Sequence, residues 1–315
     1  MKVVTFIDQM RARRFRVETI CQALRDYGIQ IAARTYRAFK QRGPSARELF
    51  DTRVLALMVH LRQDLDEHGR RPRERFYGRR KMTHLLRRHG LAVSEGKVGR
   101  LMRLAQMRGL RRGKAPKTTT PAGQPTAGDL LNRRFFAVAP NRAWVTDITY
   151  VKATTQGWCY TVVITDLYAQ KIVAWHVADN LTDQIVKDTV TLALFNRRLE
   201  GRPVVDGECL HHSDHGSQMT SLAFGEQLAN AGIKPSFGSV GDALDNATAE
   251  AVNSLYKAEC VQPDGPFATI DDVTTATADW VYWYNTRRLH STLGYATPEE
   301  IETAYYDHTM PPENR

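Results

Sequence analysis

The charge of this chain reverses sign across one short segment, and a fold for it must accommodate both halves. Residues 1–128 carry 30 Lys and Arg against 10 Asp and Glu, a net +20. Residues 129–315 carry 14 against 24, a net −10. The reversal falls at residues 115–128, APKTTTPAGQPTAG, with three prolines, two glycines and no long apolar side chain. Such a composition predicts an exposed linker. The expected organisation is therefore a basic region over 1–114, a linker over 115–128 and a second domain over 129–315. A surplus of 20 positive charges suits a polyanion, most simply nucleic acid phosphates. The acidic half holds carboxylates that could bind metal.

The four cysteines, Cys21, Cys159, Cys209 and Cys260, are far apart and form no CxxC pair. Neither a zinc ribbon nor a disulfide framework is indicated. No apolar run reaches the ~18 residues of a membrane span, and the first residues gain charge too quickly for a signal peptide. A soluble, reducing, cytoplasmic setting away from membranes is the expectation.

The basic region reads as helical. Helices are predicted over 18–27, ended by Gly28, over about 32–40, and over 52–67 with Val54, Leu57, Met58, Leu61 and Leu65 on one stripe. A helix-turn-helix candidate spans about 79–107. Its first helix, Arg79 to His89, turns Met82, Leu85 and Leu86 inward. Gly90 makes the turn, and Ser94 caps a second helix that buries Val98, Leu101, Met102 and Ala105. Lys97, Arg100, Arg103 and Arg108 on that second helix are then left largely outward, able to meet phosphates or base edges. A plain basic helical hairpin gives the same pattern.

Past the linker the period changes to that of strands. Strands are predicted over 143–153, 158–166 and 171–177, a helix over 183–199, and a strand over 208–213. A helix near 221–231, a strand near 233–237 and a helix from about Asn246 to Cys260 follow. Three meandering strands and then alternating helix and strand give an α/β domain, a mixed sheet flanked by helices. That is the order of RNase H-like domains, here preceded by an all-α region of helix-turn-helix type.

Three acids stand where a buried metal site would need them. Asp147 lies mid-strand in Trp144-Val145-Thr146-Asp147-Ile148-Thr149-Tyr150. Asp214 ends a strand in His212-Ser213-Asp214-His215-Gly216-Ser217-Gln218, and Glu250 follows 35 intervening residues later on a helix. A charge among apolar strand residues is costly unless it is paired or ligates a cation. Mg²⁺ is hard and takes oxygen ligands, and two such ions can activate the attacking oxygen and stabilise the leaving oxygen of phosphoryl transfer. Other acids read as structural. Asp166 suits a turn cap before Lys171, Asp183 starts a helix, and Asp242 and Asp245 shape the entry to the Glu250 helix.

From about residue 141 to 300 these strings resemble the catalytic domain of bacterial insertion-sequence transposases of the IS-three group, within the retroviral-integrase superfamily. Asp245-Asn246-Ala247 leading to Glu250 belongs to the likeness. So does the tail Tyr284-Asn285-Thr286-Arg287-Arg288-Leu289-His290-Ser291-Thr292-Leu293-Gly294-Tyr295, with Thr297-Pro298-Glu299. The basic half is similar to the family's second reading frame, notably Phe6-Ile7-Asp8, Tyr77-Gly78-Arg79-Arg80 and Arg100-Leu101-Met102. The resemblance implies that Asp147, Asp214 and Glu250 bind Mg²⁺, with Mn²⁺ able to substitute. It implies metal-dependent DNA strand cleavage and strand transfer at the element's ends and target DNA, by a homo-oligomer in the synaptic complex. It also implies a chain fused by frameshift to, or partnered with, an upstream OrfA product that recognises the element ends, this chain then being the catalytic part. Ala251-Val252-Asn253 departs from the family, where many relatives have Ser and then aromatic residues.

Ser254 and Lys257, at i+4 and i+7, share the helical face of Glu250. The family's basic residue at the Lys257 position implies contact with the DNA end; a solvated lysine is the alternative. Arg288 and His290 suit either packing or phosphate contact. Thr297 and Pro298 predict a capped helix start. Two competing functions remain at this point, a DNA-binding regulator without catalysis and a nuclease that only hydrolyses.

Overall fold

The computed structural model describes residues 2–65, 69–110, 136–214, 218–237 and 247–309. The linker at 115–128, and with it the expected domain boundary, lies outside the described residues, as do Asp242 and Asp245. By its own contacts the chain divides into two units, Met1–Leu57 and Met58–Arg315.

In the first unit, helices α1 (Lys2–Ala12), α2 (Val17–Asp26) and α3 (Ala33–Gln41) enclose a small core of Ile7, Ile20, Cys21, Leu24 and Tyr36. Gly28, at φ +83°, ends α2 as expected. The Tyr36 hydroxyl donates to Asp8 at 2.6 Å. Helix α1 itself was not foreseen.

Helix α4 runs over Ala46–Gln63, starting earlier and ending sooner than the predicted 52–67. Val54 and Met58 are buried, but Leu65 lies past the helix end and is exposed. Arg62 takes a buried place instead, its guanidinium donating to the carbonyls of Tyr77 at 2.9 Å and Arg108 at 2.8 Å. Backbone polar groups that leave a helix need partners, and a long cation can supply two at once.

The helix pair follows as predicted. Helix α5 (Arg79–Arg88) buries Met82 and Leu86, Gly90 turns at φ +77°, and Ser94 accepts from the Lys97 amide to cap α6 (Glu95–Leu104). The helix is shorter than expected, so Arg108 is not on it. The chain turns at Gln106, φ +56°, and runs back along residues 76–78, where the Leu110 amide donates to the Phe76 carbonyl. Gly109 backs onto Gly78 so closely that a Cβ would lie 2.5 Å from the Gly78 Cα. Gly109→Ala is therefore expected to lower the melting temperature by several degrees, because backbone rather than a pliant side chain must move.

Five strands form one sheet in the order β3-β2-β1-β4-β5. They are β1 (Ala143–Ala153), β2 (Gly157–Asp166), β3 (Ile172–Ala178), β4 (Cys209–Ser213) and β5 (Ile233–Phe237). The first three are antiparallel neighbours, and β1 and β5 flank β4 in parallel. Helix α7 (Asp183–Leu199) makes the crossover from β3, and α8 (Leu222–Asn230) links β4 to β5. Trp144, Val162, Ile164, Val186, Val190, Phe224 and Leu228 fill the core beneath them. This is the mixed α/β sheet that the strand order predicts.

Helix α9 (Ala247–Tyr256) packs on β1 and β2. The α-helix stops at Tyr256, short of the expected Cys260, and Lys257–Val261 continue as a π-helical turn. That turn holds the Glu259 carboxylate on the Arg288 guanidinium at 2.9 and 2.8 Å. After the single turn α10 (Gln262–Asp264) come α11 (Ile270–Thr286) and α12 (Pro298–Thr309). Thr297 and Glu300 cap α12 reciprocally. His290 is also buried, 3.2 Å from the Tyr284 carbonyl, and burial drives its pKa down to about 3. For Arg288 and His290 packing is thus what the fold provides.

Among the described residues no helix is long and apolar enough to cross a membrane.

Candidate active site

Alternation along β1 sends Ala143, Val145 and Asp147 to the same face. Ala143 and Val145 pack there with Ala249, which seats α9 over this face. Four residues after Ala249, one helical turn on, comes Asn253. Its amide donates to one carboxylate oxygen of Asp147 at 2.8 Å, while the Ile148 amide donates to the other at 2.8 Å. Asn253 is buried, and its side-chain carbonyl oxygen has no partner among the described residues.

Asp214 arrives from the neighbouring strand. The parallel register ends with Val145 opposite His212, and Asp214 follows immediately past the end of β4 at Ser213, close enough for its charge to act on Asp147. His212 and His211, just before it, are buried and structural. His211 Nε2 lies 2.8 Å from the Thr146 hydroxyl and His212 Nδ1 lies 2.9 Å from the Ser236 hydroxyl. Burial lowers the His211 pKa to about 4, so the ring is neutral at physiological pH.

Electrostatics tie the third acid to the first two. Burial raises the Asp147 pKa to about 6 against the two amide hydrogen bonds, and the charges of Asp214 and Glu250 push it further up. Glu250, exposed on α9, is raised by partial burial and then by the charge of Asp214. Asp147 thus feels both other acids as like charges, and Glu250 feels Asp214. They are not closed into a ligand cage, for among the described residues no three His, Cys, Asp or Glu side chains stand at metal-holding spacing.

The remaining acids take structural places. Asp166 is buried and accepts from the Asn141 amide at 2.6 Å and the Tyr168 amide at 2.8 Å, the turn role expected of it. Asp183 is the first residue of α7 and pairs with Lys187 at 3.2 Å.

Ser254 and Lys257 are exposed, like Glu250. Lys97, Arg100 and Arg103 lie on α6, whereas Arg108 lies after it. Asn253 is the residue that sequence reasoning passed over. In the sequence it stands out only as a departure from the family, although Ala249, Val252, Asn253 and Tyr256 form the buried stripe of α9. A polar side chain on that stripe, one turn from a candidate ligand, was the available signal.

Comparison with known proteins agrees with this architecture. Two descriptions of an integrase core domain match residues 137–243 and 231–298, and an HTH-like domain matches residues 56–115. A transposase-named protein of insertion sequence element IS986/IS6110 from Mycobacterium tuberculosis is 44% identical over 280 residues, covering 88% of this chain and 96% of the relative. The transposase for insertion sequence element IS629 from Shigella sonnei is 37% identical, covering 96% and 97%. Transposase InsF for insertion sequence IS3A from Escherichia coli is 28% identical, covering 96% and 98%. With such identity over nearly their whole length, this chain belongs to the insertion-sequence transposases that carry an integrase core domain.

Proposed function

We propose that Asp147, Asp214 and Glu250 together hold the divalent metal with which this transposase, a polynucleotidyl transferase, cuts and joins DNA at the ends of its element. One observation carries the reading. Asp147 lies on β1, Asp214 just past the end of the adjacent parallel strand β4, and Glu250 on the helix whose Asn253 holds Asp147, so that both further carboxylates disfavour its ionised form. Like charges gathered in this way are costly without a counter-charge, and an all-carboxylate oxygen set suits Mg²⁺, with Mn²⁺ as a substitute. When bound, the metal would polarise the scissile phosphate and activate the attacking oxygen. Asn253 then positions Asp147 by holding one of its oxygens. The basic face of α6 binds duplex DNA, and more than one copy of the chain is needed to bring two ends together. An upstream OrfA product is a further partner we infer from the family resemblance.

The test uses a duplex carrying the element's terminal repeat. Mg²⁺ should support cleavage that exposes a 3′-hydroxyl, followed by joining of that end to a second duplex, and EDTA should stop both. Cleavage without joining would favour a hydrolytic nuclease. Binding without cleavage in Mg²⁺ or Mn²⁺ would favour a regulator.

Lys97, Arg100 and Arg103 give a second expectation. If each meets one phosphate, replacing all three by Ala lowers the slope of log affinity against log salt by about 2–3. Fluorescence anisotropy across a salt series measures it, and an unchanged slope would place the DNA elsewhere.

Lys257 lies seven residues from Glu250, about 10 Å along the helix axis. At that distance it contacts DNA rather than metal. Lys257→Ala should weaken terminal-DNA binding and slow joining at limiting DNA, with recovery at saturating DNA, and Lys257→Arg should retain more. Equal affinities in all three proteins would mark Lys257 as a solvated residue.

A further inference from the structure

The helix-turn-helix pair is fastened to the tail string that ends the integrase core. The Arg88 guanidinium, at the last residue of α5, forks onto the Glu300 carboxylate at 2.6 and 2.8 Å and also donates to the Tyr295 carbonyl at 2.8 Å. One turn back on α5, the His84 ring stacks on Tyr295 with centroids 3.6 Å apart and planes 10° from parallel. The Leu289 amide donates to the Tyr77 hydroxyl at 2.8 Å, just before α5 begins.

The tail adopts an unusual backbone to make these contacts. Gly294 and Tyr295 are both left-handed, at φ +63° and +67°. Glycine takes that conformation freely, but a bulky aromatic residue rarely does. Two left-handed residues in succession turn the Tyr295 ring onto His84 and its carbonyl onto Arg88. Backbone strain of this kind persists where surrounding contacts over-determine it.

We propose that this latch sets the position of the DNA cut. Helix α6, packed on α5, grips a fixed run of base pairs. The latch places that run at one distance from Asp147, Asp214 and Glu250 of the same chain. The latch therefore acts on where the strand is cut more than on how tightly DNA is held. The inference rests on the proposed roles of α6 and of the three acids, and it adds the coupling between them.

The pair Arg88 and Glu300 is partly exposed, so reversing one charge should open the latch without unfolding the protein. The experiment maps cleavage positions at nucleotide resolution on a duplex carrying the element's terminal repeat. Wild type, Arg88→Glu, the swap Arg88→Glu with Glu300→Arg, and His84→Ala are compared, with circular dichroism and terminal-duplex affinity recorded for each. Wild type is expected to cut at one dominant position. In Arg88→Glu and His84→Ala the share of that position should fall at least twofold in favour of neighbouring phosphates, with affinity within about twofold of wild type. The swap restores the ion pair but neither the bond to the Tyr295 carbonyl nor the Glu300 cap of α12, so it should recover the dominant position in part, above both single variants. Both single variants cutting at the wild-type position alone would overturn the proposal. So would a uniform loss of cleavage without dispersal, because that is the behaviour of a merely structural contact. Failure of the underlying readings looks different: a wild-type chain that does not prefer the terminal duplex over an unrelated one, or does not cleave it at all.

Discussion

Asp147→Asn is expected to abolish strand cleavage while making the metal-free protein more stable. The two effects have one origin. Asn has nearly the shape of Asp but lacks the ligand charge. A metal contributes several kcal/mol of transition-state stabilisation. Losing about 4 kcal/mol of it lowers the rate about 10³-fold, since each 1.4 kcal/mol is tenfold. Terminal-DNA affinity should change little. The stability gain follows from the raised pKa. The folded carboxyl titrates at about 6 rather than at its ordinary value of 3.8, so between those values the folded state binds a proton that the unfolded state has lost. Stability therefore falls as pH rises from about 4 to about 6, and the full cost is present above that range. The shift alone corresponds to at most about 3 kcal/mol. The side chain is only partly buried, so solvent screening reduces this to about 1–2 kcal/mol. Thermal melts in EDTA at pH 7.5 and at pH 4 should show Asp147→Asn ahead at the first and level at the second. Asp214→Asn and Glu250→Gln should lose cleavage in the same way. A variant with near-normal Mg²⁺-dependent cleavage would end the metal assignment, whereas a destabilised one would point to a structural acid.

What the sequence reveals and what it hides divide along physical lines. Strands β1, β2 and β3 and helix α7 were readable because apolar periodicity is a local property, and α7 spans the expected 183–199. Asp147 stood out because a charge interrupts a β-branched strand. Asn253 did not, because a neutral amide is unremarkable in a helix until the strand beneath it is known. Arg108 looked helical, but the stop comes from outside α6, where Gly109 meets Gly78 and Arg62 takes up carbonyls on both sides. The tail string was legible as a signature and silent on its role. Only the fold shows that Arg288 serves Glu259 in the π turn and that Tyr295 serves His84 on α5. Contacts such as these, across about 30 to 210 residues, leave no period in the sequence.

The second large effect is expected far from the catalytic acids, at a buried cluster of charges that no local pattern announced. Arg197 of α7 and Glu302 of α12 are both fully buried and lie 2.6 Å apart. Lys171 and Arg202 reach the other oxygen of Glu302 at 2.8 and 2.6 Å, and Arg197 also donates to the Asn141 side chain at 2.9 Å. Burial alone would raise the Glu302 pKa, but Arg197 and Lys171 hold it below its ordinary value. Three cations thus meet on Glu302 between α7, α12 and the start of β3, while the more exposed Glu200 pairs with Lys171 and Arg197 at 3.0 and 2.5 Å and Glu299 with Lys171 and Arg202 at 2.8 and 3.5 Å. Glu302→Ala would leave these cations without that partner, and breaking a buried pair from one side costs about 3–5 kcal/mol. For a unit of this size that corresponds to a melting temperature lower by roughly 10 °C. Replacing Arg197 by Met together with Glu302 by Leu should cost less than Glu302→Ala, because an apolar pair leaves less charge uncompensated. Glu302 also works against acid. Its depressed pKa contributes stability that is present above the unfolded value near 4.5 and is lost as pH falls through the folded value. Glu302→Gln should accordingly flatten the loss of stability below pH 4.5 while lowering stability at pH 7. Urea denaturation of the four proteins across pH measures all of this. A cost for Glu302→Ala below about 1 kcal/mol would mean that water enters the cluster and screens it like a surface pair. Cleavage by whatever fraction remains folded should match wild type, because none of these residues touches Asp147, Asp214 or Glu250.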